Sequence, residues 1–309
     1  MQKSPAASVK FDAGTDIASA VALAKSSEVA IVFAVQHESE GSDLPSLSLP
    51  DNQDALIAAV AAANPHTIVV LETGSPVTMP WIDKVSAVIE AWYPGIRGAE
   101  ALANILFGDV NPSGKLPLTF AKSEADLPRP QLVKQPPPPA AGAPKPAGAP
   151  DIPGFRMNST KFDVTYDEGL RVGYKWYDAE KKDPLFPFGF GLSYTTFGYS
   201  DVKASASDGV TVTFKVKNTG KRAGEEVAQV YVTLPASTQE PPKRLIGWSK
   251  VTLAPGESKE VTVHAEPLYL SIYNVDKNGW ELVPGEYKVL VGSSSRDLPL
   301  HADVKLGGN

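Results

Sequence analysis

The 309-residue chain has no cysteine, which removes disulfides, thiol nucleophiles and thiolate metal sites together and sets no compartment. Histidine is scarce as well. His37, His66, His264 and His301 are scattered, with no His-Glu-x-x-His pair or other close ligand spacing, so neither a metal nor another cofactor is expected. No run reaches the ~18 to 20 apolar residues of a membrane span, and Met1-Gln-Lys-Ser-Pro5 lacks the apolar core of a signal peptide. The formal charge of −6, with Lys and Arg spread along the chain, supplies no basic stripe; nucleic acid and membrane are both set aside as partners. No Gly-x-Ser-x-Gly elbow supports a serine nucleophile.

What is present divides the chain. Over residues 10–120 short apolar runs alternate with helical patterns: a helix over Thr15–Ser26 with Thr15 as N-cap, a strand over Val29–Val35, a helix with Pro50 in its first turn that closes near Asn64, a strand over Thr67–Leu71, a short turn or helix over Met79–Val85, a strand over Ala87–Tyr93, and a helix over Ala99–Phe107. This alternation predicts a mostly parallel sheet covered by helices on both faces, with strands buried on both sides. The run Gln135–Pro150 is proline-rich, has little to bury and reads as an extended insertion. Asn158-Ser-Thr160 matches a glycosylation acceptor by chance. An aromatic connector follows, in which Phe186, Phe188 and Phe190 are expected to pack against one or both domains while Gly189 and Gly191 permit tight turns.

From about Ser200 the pattern is all-β, with strands at Val210–Val216, Glu226–Thr233, Lys243–Leu253, Ser258–Ala265 and Gly285–Val291, punctuated by Asn218-Thr-Gly220, Ala254-Pro-Gly256 and Pro284-Gly285. This predicts an antiparallel β-sandwich with one face of each sheet in the core and one in water. The expected division is an α/β domain over 1–125, an insertion and connector over 126–199, and the β-sandwich over 200–309.

Two motifs lead nowhere. Gly108-Asp-Val-Asn-Pro-Ser-Gly-Lys-Leu116 has one residue too many between its glycines for a phosphate loop and Leu116 where a metal-binding hydroxyl belongs. Gly189-Phe-Gly191 lacks a third glycine and follows no strand. The stretch Gln36–Leu44 is different, because Glu38, Glu40 and Asp43 crowd a glycine-containing loop at the carboxyl end of a strand, where open α/β sheets place ligands. A general acid needs a carboxyl partly withdrawn from water, and such crowding helps to raise its pKa. Three acids on a loop are nevertheless more often a solvated surface, and local chemistry alone does not choose.

Glu38-Ser-Glu-Gly-Ser-Asp43, Leu47-Ser-Leu-Pro-Asp-Asn-Gln53, Trp92-Tyr-Pro-Gly95, Gly114-Lys-Leu-Pro117 and Pro187–Tyr194, taken together, resemble the C-terminal half of glycoside hydrolase family 3. Gly224–Tyr231, Leu245-Ile-Gly-Trp248 and Pro284-Gly-Glu-Tyr287 resemble the fibronectin type III-like domain that follows in many of its β-glucosidases and β-xylosidases. The resemblance implies that Glu40, in Glu40-Gly-Ser-Asp-Leu44, is the catalytic acid/base, with Glu38 in reserve; Ser42 and Leu44 depart from the commoner Tyr and Arg. It also implies a β-linked oligosaccharide or aryl glycoside as substrate, and a (β/α)8 barrel, in cis or in trans, bearing the nucleophile. No stretch before Val29 is long enough for that barrel, so the chain is expected to be inactive alone. A periplasmic or secreted parent enzyme is compatible with this family. The alternative is a non-catalytic carbohydrate-binding or subunit-docking module, which exposed Trp or Tyr on the sandwich would favour and burial of Trp176, Trp248 and Trp280 would oppose.

Overall fold

The computed structural model describes residues 8–40, 44–130 and 165–307. The run Gln135–Pro150, the Asn158–Thr160 acceptor and Asp43 lie outside the described residues.

Helix α1 (Ile17–Lys25) begins on Asp16, whose carboxylate accepts from the Ala18 amide at 3.0 Å. The cap is therefore Asp16 and not Thr15, and its charge suits the positive end of the helix. Ala20 and Ala24 are small enough for α1 to settle on Leu56 and Val60 of α2 (Gln53–Ala63). Pro50 falls outside α2, because Asp51 and Asn52 both adopt left-handed backbone and Asn52 becomes the N-cap. At the other end the buried Asn64 donates to the carbonyls of Ala24 and Ser27, tying the two helix ends together.

Strands β1 (Ala30–Val35), β2 (Thr67–Glu72) and β3 (Ala87–Glu90) form a parallel sheet in the order β1-β2-β3, with Val32 opposite Val69 and Val69 opposite Val88. The central strand is buried on both faces at Val69, Val70 and Leu71, as its continuous apolar run requires. β1 is not. Ala30, Val32 and Ala34 face the helices, whereas Phe33 on the opposite face is 40% exposed, since β1 has a neighbouring strand on one side alone among the described residues. β3 stops three residues before the expected Tyr93. Trp92 takes φ +53°, which a strand cannot continue through, and donates its amide back to Glu90 Oε1 at 3.0 Å. Helix α3 (Gly98–Leu106) buries Leu102 and Ala103 and ends on Gly108, so the stretch that imitates a phosphate loop is a helix exit.

The sandwich packs β4 (Phe197–Ser207), β5 (Gly209–Asn218) and β8 (Ser258–Ala265) against β6 (Gly224–Thr233), β7 (Arg244–Leu253), β11 (Gly285–Gly292) and β12 (Leu300–Leu306); between β8 and β11 a hairpin of β9 (Ile272–Asn274) and β10 (Gly279–Glu281) stands apart. Every described pairing within the sandwich and this hairpin is antiparallel. Val210, Val212, Phe214 and Val216 of β5 meet Ala228, Val230 and Val232 of β6 and Tyr287, Val289 and Val291 of β11 in one core. β4 and β12 carry no clean apolar run and go unforeseen in the sequence; β4 is interrupted by a register shift between Ser200 and Lys203, with Asp201 at φ +59°.

The expectation that each sheet turns one face to water fails at β6, where Gln229 and Tyr231 on the outward face are buried. The connector covers them. Tyr174 of α4 (Tyr174–Ala179) lies edge-on to Tyr231 and tilted against Phe188, while Phe186 stacks on Phe190 and meets Phe120 of the α/β unit. Gly189, at φ +81°, permits the closest approach: a Cβ there would fall 2.1 Å from Gln229 Oε1. Beside it Lys115 of the α/β unit pairs with Glu226 of β6 at 3.1 Å, both side chains nearly buried, and Tyr199 Oη donates to the same carboxylate.

Candidate active site

The carboxyl ends of β1, β2 and β3 converge, and each strand contributes its exit. From β1, Gln36 is 1% exposed and its carbonyl accepts from Tyr93 Oη at 2.6 Å. The outer edge of β1 is held by Gln53, whose side-chain amide accepts from Val35 N and donates to Val35 O, both at 2.8 Å, in imitation of a strand neighbour. This gives the last residue of the Leu47–Gln53 motif a physical task. It fixes the point at which the acidic loop departs.

Beyond Gln36 the loop runs through Glu38 and Glu40, both exposed; residues 41–43 lie outside the described set. Glu38 turns back over the exit of β2. A Cβ added to Gly74 would fall 2.2 Å from Glu38 Oε2 and 2.8 Å from Tyr93 Cε2, so carboxylate and phenol meet above that glycine. The returning limb is anchored by Glu124, which accepts from Ser46 Oγ at 2.7 Å and Leu47 N at 2.6 Å; these bonds, Ser46 first, hold its carboxyl below the usual range. The loop is thus secured at both feet. Neither Glu38 nor Glu40 is withdrawn from water as a general acid requires, so the loop's own residues leave the choice between a solvated surface and a site where the sequence left it.

The withdrawn carboxyl belongs to a residue that sequence reasoning passed over. Glu90, the last residue of β3, is pushed from 4.5 up to about 7 by burial, opposed by hydrogen bonds from the Trp92 amide and Thr73. Tyr93, next to Glu38 and Glu90, has its phenol raised, first by desolvation and then by the Glu38 charge. No motif marks Glu90. The available signal was a carboxylate ending an apolar run, Ala87-Val-Ile-Glu90, at the depth where two other strands also end.

Among the described residues no group of His, Cys, Asp and Glu could hold a metal ion, and no helix is long and apolar enough to cross a membrane. Of the tryptophans that bear on the alternative reading, Trp248 is 65% and Trp280 61% exposed, while Trp176 is half-buried.

Residues 1–194 match the glycosyl hydrolase family 3 C-terminal domain, and residues 226–295 the fibronectin type III-like domain. The chain is 43% identical over 292 residues to thermostable beta-glucosidase B of Acetivibrio thermocellus, covering 92% of this chain and 36% of that protein. It is 41% identical over 305 residues to beta-glucosidase B of Emericella nidulans, covering 94% and 34% respectively. DesR, a beta-glucosidase from Streptomyces venezuelae solved in complex with D-glucose, superposes with a TM-score of 0.79 at 43% identity, over 94% of this chain and 35% of its own. The chain therefore spans about a third of the length of these relatives. With a parallel sheet whose strand ends carry the acidic loop, an antiparallel sandwich behind it, and relatives of this identity, the chain belongs to glycosyl hydrolase family 3, of which it comprises the C-terminal region with its fibronectin type III-like domain.

Proposed function

We propose that this chain is the acid/base-bearing part of a retaining β-glucosidase-like enzyme, with Glu40 as the general acid and base and Glu38 as the second candidate. The observation that carries the reading is the placement of the Glu38–Glu40 loop at the joint carboxyl ends of three parallel strands, held by Gln53 on one side and Glu124 on the other. In this reading the units are those expected from the sequence, 1–125, 126–199 and 200–309.

Glu40 protonates the leaving oxygen of a β-linked oligosaccharide or aryl glycoside while an aspartate on a (β/α)8 barrel, in cis or in trans, attacks the anomeric carbon; Glu40 then takes the proton of the water that releases the sugar. The two carboxyl groups must come within ~5 to 5.5 Å, and docking of the barrel supplies the desolvation that an exposed Glu40 lacks. Acid/base assistance of this kind is worth ~10²- to 10⁴-fold. The purified chain is expected to hydrolyse no aryl β-glucoside alone and to gain turnover with a matching barrel. Glu40→Gln is then expected to abolish cleavage of substrates with poor leaving groups, whereas Glu38→Gln retains it. The opposite pattern transfers the role to Glu38, and turnover by the chain alone refutes the reading.

A second reading is favoured by one observation, the exposure of Trp248 and Trp280 with Tyr273 set edge-on to Trp280 at 5.6 Å. Exposed aromatic rings suit the apolar faces of sugars, as a carbohydrate-binding or docking module requires. Calorimetric titration with cellobiose separates the two: binding lost in Trp280→Ala but kept in Glu40→Gln supports the module.

A further inference from the structure

In the parallel sheet β2 separates β3 from β1, so a side chain leaving β3 must cross roughly 10 Å, two strand spacings, to touch the root of the acidic loop. Tyr93 makes that crossing. Trp92, in left-handed backbone with its amide donated to Glu90 Oε1 at 3.0 Å, ends β3 and turns the chain so that Tyr93 lies back over the strand ends. The Tyr93 hydroxyl donates to the Gln36 carbonyl at 2.6 Å, one residue beyond β1. Midway the ring passes the exit of β2 at Gly74, where a Cβ would fall 2.8 Å from Tyr93 Cε2 and 2.2 Å from Glu38 Oε2. Gly74 does not take a positive φ, so what its missing side chain provides is room. Packing does not account for a tyrosine here: Tyr93 is 53% exposed, and a ring so open gains little from burial. Its polar contacts do. Besides the Gln36 bond, the backbone amides of Glu38 and Gly74 act on the phenol as donors, while desolvation and then the Glu38 charge raise its pKa, so the hydroxyl keeps its proton at neutral pH.

We propose that Tyr93 is a positioning residue of the acidic loop: reaching from β3 across Gly74, it holds the Gln36 carbonyl with its hydroxyl, seats Glu38 beside its ring, and so sets the direction in which the loop carries Glu40 away from β1. Gln53 holds Val35, the last residue of the strand, from the outer edge, and Tyr93 holds the next residue from the side of β2. Two successive residues clamped from opposite sides leave the chain one direction in which to depart. Glu38, seated over Gly74, extends the hold two residues further. In this role Tyr93 touches no reacting atom and acts through the backbone it fixes, where a misplacement of about 1 Å can cost on the order of 10²-fold in rate.

The catalytic consequence rests on the reading of this loop as the acid/base element, but the clamp itself can be tested in the full chain without turnover. In amide exchange, Tyr93→Phe, which removes one oxygen, is expected to lower protection of the Glu38 and Gly74 amides about three- to tenfold, the range a single hydrogen bond supports, with Val69–Leu71 of β2 unchanged. Gly74→Ala keeps the hydroxyl but removes the room, and is expected to produce the same loss at Glu38. Ile96→Ser, at a fully exposed position beyond the same turn, should alter neither amide. Protection at Glu38 unchanged in Tyr93→Phe, or a loss that spreads equally through β2, overturns the proposal; if Gly74→Ala does not fold, Tyr93→Phe decides alone. With a matching barrel supplied, a misaimed acid should appear in Tyr93→Phe as a fall in kcat of about tenfold on cellobiose with KM unchanged, and a smaller fall on an aryl β-glucoside whose leaving group needs little protonation. Equal falls on both substrates, or a change confined to KM, also overturn it. Absence of turnover in the wild type with the barrel would count against the acid/base reading, and the exchange result would still decide the role of Tyr93.

Discussion

The two units of the chain close their cores differently. In the β-sandwich, β5, β6 and β11 bury their inward residues completely, and even the outward face of β6 lies under the connector. In the α/β unit only the central β2 is closed on both faces, while Phe33 of β1 and Tyr93 and Ile96 beyond β3 stand open to solvent. The difference lies in edges. An antiparallel sandwich covers its apolar faces with a second sheet from the same unit, whereas a three-stranded parallel sheet has two outer strands for one inner one. The candidate site lies in the less closed unit, where exposed groups remain available to a partner.

The contrast can be broken most directly in the sandwich. Phe214→Ala, which empties a fully buried site, is expected to cost about 3 to 5 kcal/mol in denaturant unfolding. Next comes the junction: Lys115→Ala strands Glu226 with 6% side-chain exposure and without its cation, and about 3 kcal/mol is expected to be lost, with the two units melting further apart in calorimetry. A paired Lys115→Met and Glu226→Leu replacement should return part of it, because no buried charge remains although the Tyr199 hydroxyl loses its acceptor.

A smaller effect separates the units by pH. A carboxyl whose folded pKa is raised holds its proton more tightly when folded, so its contribution to stability is full below about 4.5 and lost as pH rises through about 7. The stability of the α/β unit should therefore fall by about 1 to 2 kcal/mol between pH 5 and 8, allowing for the part of Glu90 still open to solvent. Glu90→Gln removes the slope, and the sandwich transition should not share it. Smallest of all, Phe33→Ser should cost no more than about 1 kcal/mol, since its ring is already partly in water; a larger loss would mean that the outer face of β1 is covered in solution.

Runs such as Thr67–Leu71 and Val210–Val216 announced their strands because burial on two faces or one leaves a continuous or alternating apolar pattern. β4 and β12 left no such mark, since edge strands with solvated faces accept Ser, Lys and Asp. Glu40 was singled out through the motif around it, and its role is the one proposed above. Glu90 was not, because what distinguishes it is a hydroxyl from one strand exit and a backbone amide from its own turn, and neither has a fixed spacing in the chain.

Local chemistry, read residue by residue, was enough to establish a parallel α/β unit, a cysteine-free sandwich and an acid-rich loop between strand and helix. Helix caps, turn glycines and the period of apolar residues act over a few positions and are written directly in the chain. Folding in three dimensions settled which strand lies inside, which face of β6 the connector covers, and which carboxyl leaves water. Burial depends on the sum of neighbours from distant segments, and desolvation, unlike periodicity, exists only once those neighbours have come together.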